Sequence, residues 1–404
     1  MKKGDYLLMR NLEAQVLSKI SRSELVHLTR QLCAIDTQNP PADYSGSSKF
    51  MKTLYESIGL ETTFFCGEAG KVNVGGRWKG SGEKKDVFLL SGHMDVVPVG
   101  TGWDFHNPLH VEEKDGILYG RGVVDMKGSL IAQFLAAKAL KEAGVQLKGD
   151  WYLFSTVDDE TAGKMGLKYI IDEGLDKAGW KKPTFHILGE PTDLKMCVAF
   201  KGRMWIKLTL KGKAAHGGNP SAGINAIEKM TRLIPKILTL PRWTHPLMGI
   251  DTINLGTIQG GEKTNIVADT CTLTIDYRYV APHSSTEVEK TLRDLIKKVS
   301  ESDPDTELAE FEVFERREPK EIPQTLPQIQ SVKMITAEVT GKETTFSGVL
   351  SAGDSYWTIL AGIPALFFGP GSMSVAHTNK EQVAIDELMN ASKIYALFAL
   401  RNLC

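Results

Sequence analysis

The sequence predicts a two-domain α/β protein, in which a mixed, mainly parallel sheet is flanked by helices and a smaller α+β domain is inserted. The chain has 404 residues, more than a single core usually supports. In its first half, short apolar runs alternate with helical patterns, as in a parallel sheet covered by helices. After about residue 198, strands alternate apolar and polar residues, which indicates a sheet with one exposed face.

The first domain is predicted to begin with two helices. Apolar residues recur at helical spacing over 12–35, where Ser21 or Ser23 can cap the second helix. The run QNPPADYSG then interrupts the pattern. The next predicted elements are a helix near 47–58, a strand, turn and strand over 60–92, a short strand at 116–122 and a helix at 126–144 that Gly144 ends. Two apolar runs that end in acidic residues follow, WYLFSTVDDE at 151–160 and FHILGEP at 185–191.

The inserted domain is predicted to have the order strand, helix, two strands, helix, strand. Its helices are Ile224 to Leu238 and 285–301, and its last strand lies near 306–315. This order is ferredoxin-like. The pattern then returns to α/β, with helices near 328–340 and 384–402. The predicted boundaries are therefore 1–197 and 319–404 for the first domain and 198–318 for the inserted one.

Charge and cysteine content narrow the function classes. Lys and Arg number 48 against 49 Asp and Glu, so the net charge is -1 and no nucleic-acid partner is expected. Five scattered cysteines predict neither a disulfide framework nor a cysteine metal knot, which favours a cytoplasmic protein. No apolar run reaches 18 residues, so neither secretion nor membrane spanning is expected.

Polar residues follow the predicted buried strands. In FLLSGHMDVVPVG, at 88–100, His93 and Asp95 come directly after an apolar strand, where open α/β sheets place their chemistry. The strand-end set is His93, Asp95, Asp125, Asp158, Asp159, Glu160, Glu190 and, in a later loop, His377. Two histidines with several carboxylates suit zinc or a similar divalent ion, and the acids are too many for one ion. A pair of ions sharing a bridging carboxylate is the simplest prediction. Asp158 could instead only cap a helix.

Six motifs resemble, in order, the landmarks of the M20 metallopeptidase family, the group of acetylornithine deacetylase, succinyl-diaminopimelate desuccinylase, aminoacylase and carboxypeptidase G. The motifs are SGHMDVVPVG, GILYGRGVVDMKGS, STVDDETAG, LGEPTDL, KAAHGGNPSAGINAI and GPGS…AHTNKE. The resemblance spans nearly the whole chain. It implies that 1–197 and 319–404 form the catalytic domain, that 198–318 is a lid and dimerisation domain, and that the protein is a homodimer.

The resemblance also implies a ligand set. His93 and Glu190 would hold one divalent ion, Glu160 and His377 the other, and Asp125 would bridge them. The ions would be zinc, with cobalt or manganese as alternatives. Asp95 would accept the other ring N–H of His93 and so orient it. The peptide bond after Asp125 is expected to be cis.

Four further residues match substrate-contacting positions of the family. His216 resembles the lid histidine that reaches a substrate carbonyl or oxyanion, and Asn265 and Arg278 match contacts to substrate oxygens or a carboxylate. Gly371, in the GPG loop, matches a position near the second ion. The alternative for Arg278 is an ordinary surface ion pair. The other histidines are interpreted as structural or solvated: His106, His110, His186, His245 and His283.

The sequence departs from the family at the general base. In VDDETAG the base position holds Asp159 where the family usually has a glutamate, which shortens the side chain by one carbon, about 1.5 Å. A base must come within about 2.6–3.2 Å of its proton. The resemblance therefore leaves open whether Asp159 supports full catalytic turnover.

The predicted function is hydrolysis of the amide bond of a small N-acyl amino acid by metal-activated water. DMKGS and GEPTDL favour the deacetylase and desuccinylase branch. Two alternatives remain open. One is a dipeptidase or carboxypeptidase of the same family, and the other is a binding protein whose turnover is lost because of Asp159.

Overall fold

A computed structural model describes residues 3–161, 163–350 and 353–404 of the chain. The chain divides into two compact units. The first unit comprises Met1–Val198, Ile322–Phe346 and Gly353–Cys404, and the second comprises Ala199–Glu321 and Ser347–Ala352. The catalytic and lid roles of the two predicted domains remain predictions.

The helices and strands are numbered in chain order. The helices are α1 (Lys3–Ser18), α2 (Arg22–Ala34), α3 (Ser45–Ser57), α4 (Lys127–Glu142), α5 (Leu175–Ala178), α6 (Ala226–Leu238), α7 (Ser285–Ser302), α8 (Pro327–Thr340), α9 (Ser355–Leu360) and α10 (Ile385–Leu403). The first strands are β1 (Glu61–Cys66), β2 (Val72–Trp78), β3 (Val87–His93), β4 (Glu112–Lys114), β5 (Ile117–Tyr119), β6 (Asp150–Thr156), β7 (Phe185–Leu188), β8 (Met196–Phe200) and β9 (Gly202–Lys211). The remaining strands are β10 (Thr244–His245), β11 (Gly249–Ile250), β12 (Thr252–Gly260), β13 (Thr270–Tyr279), β14 (Glu307–Arg317), β15 (Lys320–Glu321), β16 (Phe346–Val349), β17 (Ala365–Phe367) and β18 (Gln382–Ala384).

The first unit is built on a mixed sheet in the order β1-β2-β6-β3-β7-β17-β8. The neighbours of β3, and the pair β7 and β17, are parallel, whereas the outer pairs are antiparallel. β3 and β6 are buried along their whole length because helices cover the centre of the sheet. This confirms the predicted mixed α/β fold.

The helix α4 covers one face of this sheet together with α10. Almost every residue of α4 is buried, as its Ala- and Leu-rich sequence predicts. Phe398 of α10 stacks on Phe88 of β3 with ring centroids 5.1 Å apart. Each large apolar side chain buried in this way contributes about 1.5–3 kcal/mol.

Helix ends follow the local sequence. Ser21 caps α2, since its hydroxyl accepts a hydrogen bond from the backbone N–H of Glu24 at 3.3 Å. Gly144 follows the end of α4 with φ 71°, as predicted for a residue that ends a helix. No element is predicted between 161 and 184, where the structure has an irregular helical segment from Lys164 to Ala178. Its apolar residues pack against β1 and β6.

The second unit contains an antiparallel sheet in the order β12-β13-β9-β14. Apart from the two-residue strands β10 and β11, which lie between α6 and β12, its elements follow the chain order β9, α6, β12, β13, α7, β14. This is the order of strands and long helices that the sequence predicts. Buried residues alternate along β9 and β13, and the buried set packs against α6 and α7. The other face of the sheet carries mainly charged and polar side chains, such as Lys207 and Asp276, together with Trp205.

Within residues 3–161, 163–350 and 353–404, no helix is at once long and apolar enough to cross a lipid bilayer.

Candidate metal centre

The predicted polar residues meet because three parallel strands end side by side. β6 and β7 flank β3, and His93 at the end of β3 is paired with Thr156 at the end of β6. Glu160 lies in a short 3-10 turn after β6, and Glu190 lies just beyond β7. The carboxyl ends of parallel strands therefore bring these side chains to one edge of the sheet.

The first group of ligand atoms comes from His93, Asp125 and Glu190. All three side chains are buried, and their ligand atoms lie within 4.8 Å of one another. His93 Nε2 lies 3.0 Å from Asp125 Oδ1 and 3.5 Å from Glu190 Oε1.

The second group comes from Asp125, Glu160 and His377. His377 Nε2 lies 3.0 Å from Asp125 Oδ2 and 3.1 Å from Glu160 Oε1. His377 is half exposed and has φ 62°, a backbone conformation that is uncommon outside glycine. Asp125 thus belongs to both groups, and each of its two oxygens faces a different histidine.

The main chain around Asp125 has the predicted form. The peptide bond between Asp125 and Met126 is cis. Gly371 lies beside this segment with φ 79°, and a Cβ added there would come within 2.3 Å of Val124. The backbone N–H of Gly371 donates to Glu387 Oε2 at 2.7 Å. Gly371 therefore packs directly against the residue before Asp125.

The charges of the two groups act on each other's protonation. Burial opposes the charged form of His93, yet Asp125 and Glu190 raise its pKa well above its usual value. Hydrogen bonds to Asp125 and Glu160 raise the pKa of His377 to about 10. Burial and the charge of Asp125 raise the pKa of Glu190 to about 8. Both histidines and Glu190 thus favour their protonated forms. A bound divalent cation requires neutral imidazole and ionised carboxylate, so its binding would release these protons.

The donor atoms fit divalent metal ions. Each group offers one imidazole nitrogen and carboxylate oxygens, a set that suits zinc and is compatible with cobalt or manganese. Two ligand atoms on one tetrahedral zinc ion lie about 3.3 Å apart. The separations of 3.0 and 3.5 Å between His93 Nε2 and its two carboxylate neighbours bracket that value.

Asp95 contacts both groups, though not as predicted. The Nδ1 atom of His93 lies 2.9 Å from the main-chain carbonyl oxygen of Asp95 and 3.7 Å from its carboxylate. The carboxylate instead accepts hydrogen bonds from Asn39 Nδ2 at 3.0 Å and from the backbone N–H of Glu160 at 3.2 Å. The orienting acceptor for His93 is therefore backbone, because the chain turns back on the ring directly after β3.

Asp158 and Asp159 have different surroundings. Asp158 has φ 72° and accepts hydrogen bonds from Lys71 Nζ at 2.7 Å and from the hydroxyl of Thr161 at 2.6 Å. Asp159 is partly exposed, and its side chain makes no hydrogen bond or ion pair with any residue that the structure describes. Asp158 thus shapes the turn, while Asp159 is left available.

Three predicted substrate residues lie in the second unit. His216 is exposed and its Nδ1 accepts from the backbone N–H of Gly218 at 3.0 Å. Asn265 is close to it, since the backbone N–H of Gly217 donates to the carbonyl of Asn265 at 2.8 Å. The structure therefore brings His216 and Asn265 into one pair of loops.

Arg278 forms a two-point ion pair with Asp276. Its Nε lies 2.7 Å from Oδ1 and its Nη2 lies 2.9 Å from Oδ2, while Nη1 donates to the carbonyl of Leu350 at 3.3 Å. The two side chains share a face because they are two residues apart on β13. The sequence predicts either a substrate contact or an ion pair for Arg278, and the structure shows an ion pair.

Sequence reasoning missed three buried residues near the two groups. Glu381 and Arg121 form a buried ion pair beside Asp125. Asp354 is buried, and its Oδ2 accepts from the hydroxyl of Thr156 at 3.1 Å. The sequence offers one signal for Glu381, its position four residues after His377 in the motif HTNKE. An isolated acidic residue in a loop does not by itself indicate a functional role.

Comparisons with known proteins agree with this geometry. Residues 89–401 match peptidase family M20/M25/M40. N-formyl-4-amino-5-aminomethyl-2-methylpyrimidine deformylase from Halalkalibacterium halodurans is 29% identical, and the match covers 94% of each chain. Acetylornithine deacetylase from Pectobacterium carotovorum is 30% identical over 75% of this chain and 76% of its own. The crystal structure of aminopeptidase PepT from Bacillus cereus has the same fold, with a TM-score of 0.77 at 20% identity, covering 95% of this chain and 99% of that one.

These matches confirm the resemblance drawn from the motifs. The family and the named relatives make the protein a hydrolase that acts on amide bonds. The chain belongs to peptidase family M20/M25/M40.

Proposed function

We propose that the protein hydrolyses the amide bond of a small N-acyl compound at a centre of two divalent ions. The observation that carries the proposal is the position of Asp125, whose oxygens each lie 3.0 Å from a different histidine. A carboxylate shared between two ligand groups can hold two ions close together, as in hydrolytic sites whose ions lie about 3.5–4 Å apart.

The ligand roles follow the two groups. His93 and Glu190 would hold one ion, Glu160 and His377 the other, and Asp125 would bridge them. Zinc is the proposed ion, with cobalt and manganese as alternatives. When bound, such ions lower the pKa of a coordinated water and polarise the substrate carbonyl.

We assign the proton transfer of the reaction to Asp159. Its carboxylate would take a proton from the attacking water and deliver it to the leaving amine, as a general base and then a general acid. Its lack of a partner in the described part of the chain supports this role, because Asp158 next to it is committed to Lys71 and Thr161. His216 would stabilise the oxyanion, and Asn265 would contact a substrate oxygen.

Two substrate classes are supported by different observations. An N-acyl amino acid fits the deacetylase motifs and the match to acetylornithine deacetylase, with Arg278 holding the substrate carboxylate. An N-formyl amine without a carboxylate fits the match to the deformylase, which spans 94% of both chains. The ion pair of Arg278 with Asp276 also favours this second class, since the guanidinium already has a carboxylate partner.

The remaining predictions about assembly rest on family resemblance. We propose a homodimer, which light scattering of the purified chain tests directly. The cytoplasmic location rests on cysteine usage and is likewise a proposal.

The experiment is a hydrolysis screen of the purified chain loaded separately with zinc, cobalt or manganese. Its substrates are N-formyl, N-acetyl and N-succinyl amino acids, an N-formyl aminomethylpyrimidine and simple dipeptides. We expect turnover of one N-acyl class, and loss of turnover in Asp159→Asn with metal content unchanged. Turnover of dipeptides with a free amino group would identify a dipeptidase instead. Bound metal with no turnover of any substrate would favour the binding-protein alternative.

A further inference from the structure

Glu381 is a buried carboxylate that contacts the segment leading to Asp125. Its side chain is fully buried. One oxygen, Oε1, accepts hydrogen bonds from three backbone N–H groups of that segment, those of Gly122 at 2.8 Å, Val124 at 3.2 Å and Asp125 at 3.3 Å. Its own carbonyl accepts from the N–H of Gly120 at 3.2 Å. One residue thus fixes most of the main chain from 120 to 125.

The second oxygen of Glu381 is paired with Arg121. The Arg121 side chain is 2% exposed, and its guanidinium carbon lies 5.3 Å from the ring centre of Trp103. A charged group is costly to bury, and the cost is offset only when its hydrogen-bonding positions are satisfied. The partners of the Glu381 carboxylate all lie between Arg121 and Asp125. Arg121 is less completely paired, since its Nη2 donates to the carbonyl of Pro98 at 3.4 Å and its Nε has no partner among the described residues.

Glu381 also belongs to the loop that carries His377. The chain runs from His377 through Thr378, Asn379 and Lys380 to Glu381, and Asn379 Nδ2 donates to the carbonyl of Gly102 at 2.5 Å. A displacement of this loop would therefore move a ligand of the second group and, through Glu381, the main chain of the shared ligand.

We propose that Glu381 is a positioning residue that fixes Asp125 and couples the two metal positions to each other. This inference rests on the ligand roles given in the proposed function. Residues that orient metal ligands through hydrogen bonds commonly change metal affinity by about 10–100-fold when removed. The alternative is an ordinary structural ion pair, whose loss would lower stability without a specific effect on metal binding.

The test is calorimetric titration of Zn²⁺ into the metal-free full-length protein. Glu381→Gln keeps one acceptor oxygen and places an amide against Arg121, and Glu381→Asp keeps the charge but shortens the side chain by about 1.5 Å. The matched control is Glu13→Gln, because Glu13 is also a buried carboxylate paired with an arginine, Arg401, at 2.7 Å.

We expect Glu381→Gln to bind both zinc ions about 10–100-fold more weakly, and Glu381→Asp to lie between it and the wild type. Glu13→Gln should bind zinc as the wild type does, even if it unfolds at a lower temperature. Zinc affinities of Glu381→Gln within about threefold of the wild type would overturn the inference. A wild-type protein that binds none of zinc, cobalt or manganese would instead contradict the proposed function.

A second measurement needs no variant. If Glu381 fixes the segment before metal binds, the amides of Gly122, Val124 and Asp125 should exchange slowly with deuterium in the metal-free wild type. Exchange of these amides as fast as in an unprotected loop would also overturn the inference, even if neither Glu381 variant folds.

Discussion

The carboxylate of Asp95 accepts a hydrogen bond from the backbone N–H of Glu160, with 3.2 Å between Oδ2 and the nitrogen. The same residue holds His93 through its main-chain carbonyl, 2.9 Å from Nδ1. Asp95 therefore supports one ligand of each group by two different parts of its structure. The two supports respond differently to substitution, because a side-chain change leaves the main-chain carbonyl in place.

Replacement of Asp95 by alanine should therefore weaken the second metal position more than the first. We expect Asp95→Ala to lower the affinity for the ion held by Glu160 by about 10–100-fold, because the turn that carries Glu160 loses its acceptor. The ion held by His93 should be affected less. Zinc titration followed by metal analysis measures the affinities of the two metal positions. Asp43→Asn, at an exposed position, serves as the control, and equal loss at both positions would contradict the assignment.

Replacement of His377 should separate the two ions. The His377 side chain is 50% exposed, whereas that of His93 is 2% exposed. We expect His377→Ala to retain one tightly bound zinc ion per chain and the wild type to retain two, because the buried group keeps all its ligands. In the wild type a chelator should remove the ion of the exposed group first. Two zinc ions retained by His377→Ala, or none, would show that the groups do not bind as assigned.

The strand pattern predicts which polar residues meet at the sheet edge, because each apolar run and the acidic or histidine residue after it are adjacent in the sequence. The division of these residues into two ligand groups comes from the resemblance to the family. β3 is recognised from an uninterrupted apolar run, and His93 follows at its end. Parallel strands then bring distant ends together without further information. The same reasoning explains why Glu160 and Glu190 could be placed, since each comes directly after a strand of this kind.

Other features depend on contacts that no pattern encodes. The partner of His93 is a main-chain carbonyl, which has no sequence signal. Glu381 looks like a loop acid until the fold places it against residues 122–125, far away in the chain. In contrast, the ion pair of Arg278 with Asp276 can be predicted from the sequence, because residues two apart on a strand lie on the same face.

Replacement of Asp158 tests the turn that carries the proposed base. Asp158 has φ 72°, and its carboxylate is held by Lys71, Thr161 and the backbone N–H of Met165. Asp158→Ala loses these bonds and places a Cβ residue in the left-handed region without a local side-chain hydrogen bond. We expect a loss of about 2–4 kcal/mol in the free energy of unfolding, and lower activity.

Asp158→Asn is the matched variant for that experiment. Asparagine tolerates the left-handed region and keeps one acceptor oxygen, which can still accept from Lys71 and Thr161. It should lose the charge pairing with Lys71 and the hydrogen bond from the backbone N–H of Met165. We expect it to cost about 1–2 kcal/mol in urea unfolding, less than the alanine variant. Equal losses for alanine and asparagine would show that neither the backbone conformation nor the retained hydrogen bonds matter there.

His186 should make the protein sensitive to acid. Its ring is fully buried between Ser91, whose Oγ lies 2.7 Å from Nε2, and Thr358, whose Oγ1 lies 3.0 Å from Nδ1. Burial lowers its pKa from 6.5 to about 3. Between pH 6.5 and 3 the folded protein therefore keeps His186 neutral, whereas the unfolded chain binds a proton at this residue. The contribution of neutral His186 to the free energy of unfolding is complete above pH 6.5 and is lost as the pH falls from 6.5 towards 3.

The expected result is a steeper acid dependence in the wild type than in His186→Gln. One proton accounts for at most about 1.4 kcal/mol per pH unit in the free energy of unfolding. Urea unfolding of both proteins at several pH values between 7 and 4 measures the difference in slope. Thr358→Val removes one hydrogen-bond partner but no titrating group, so it should lower stability with little change in slope. Parallel curves for the wild type and His186→Gln would show that His186 is protonated equally in both states.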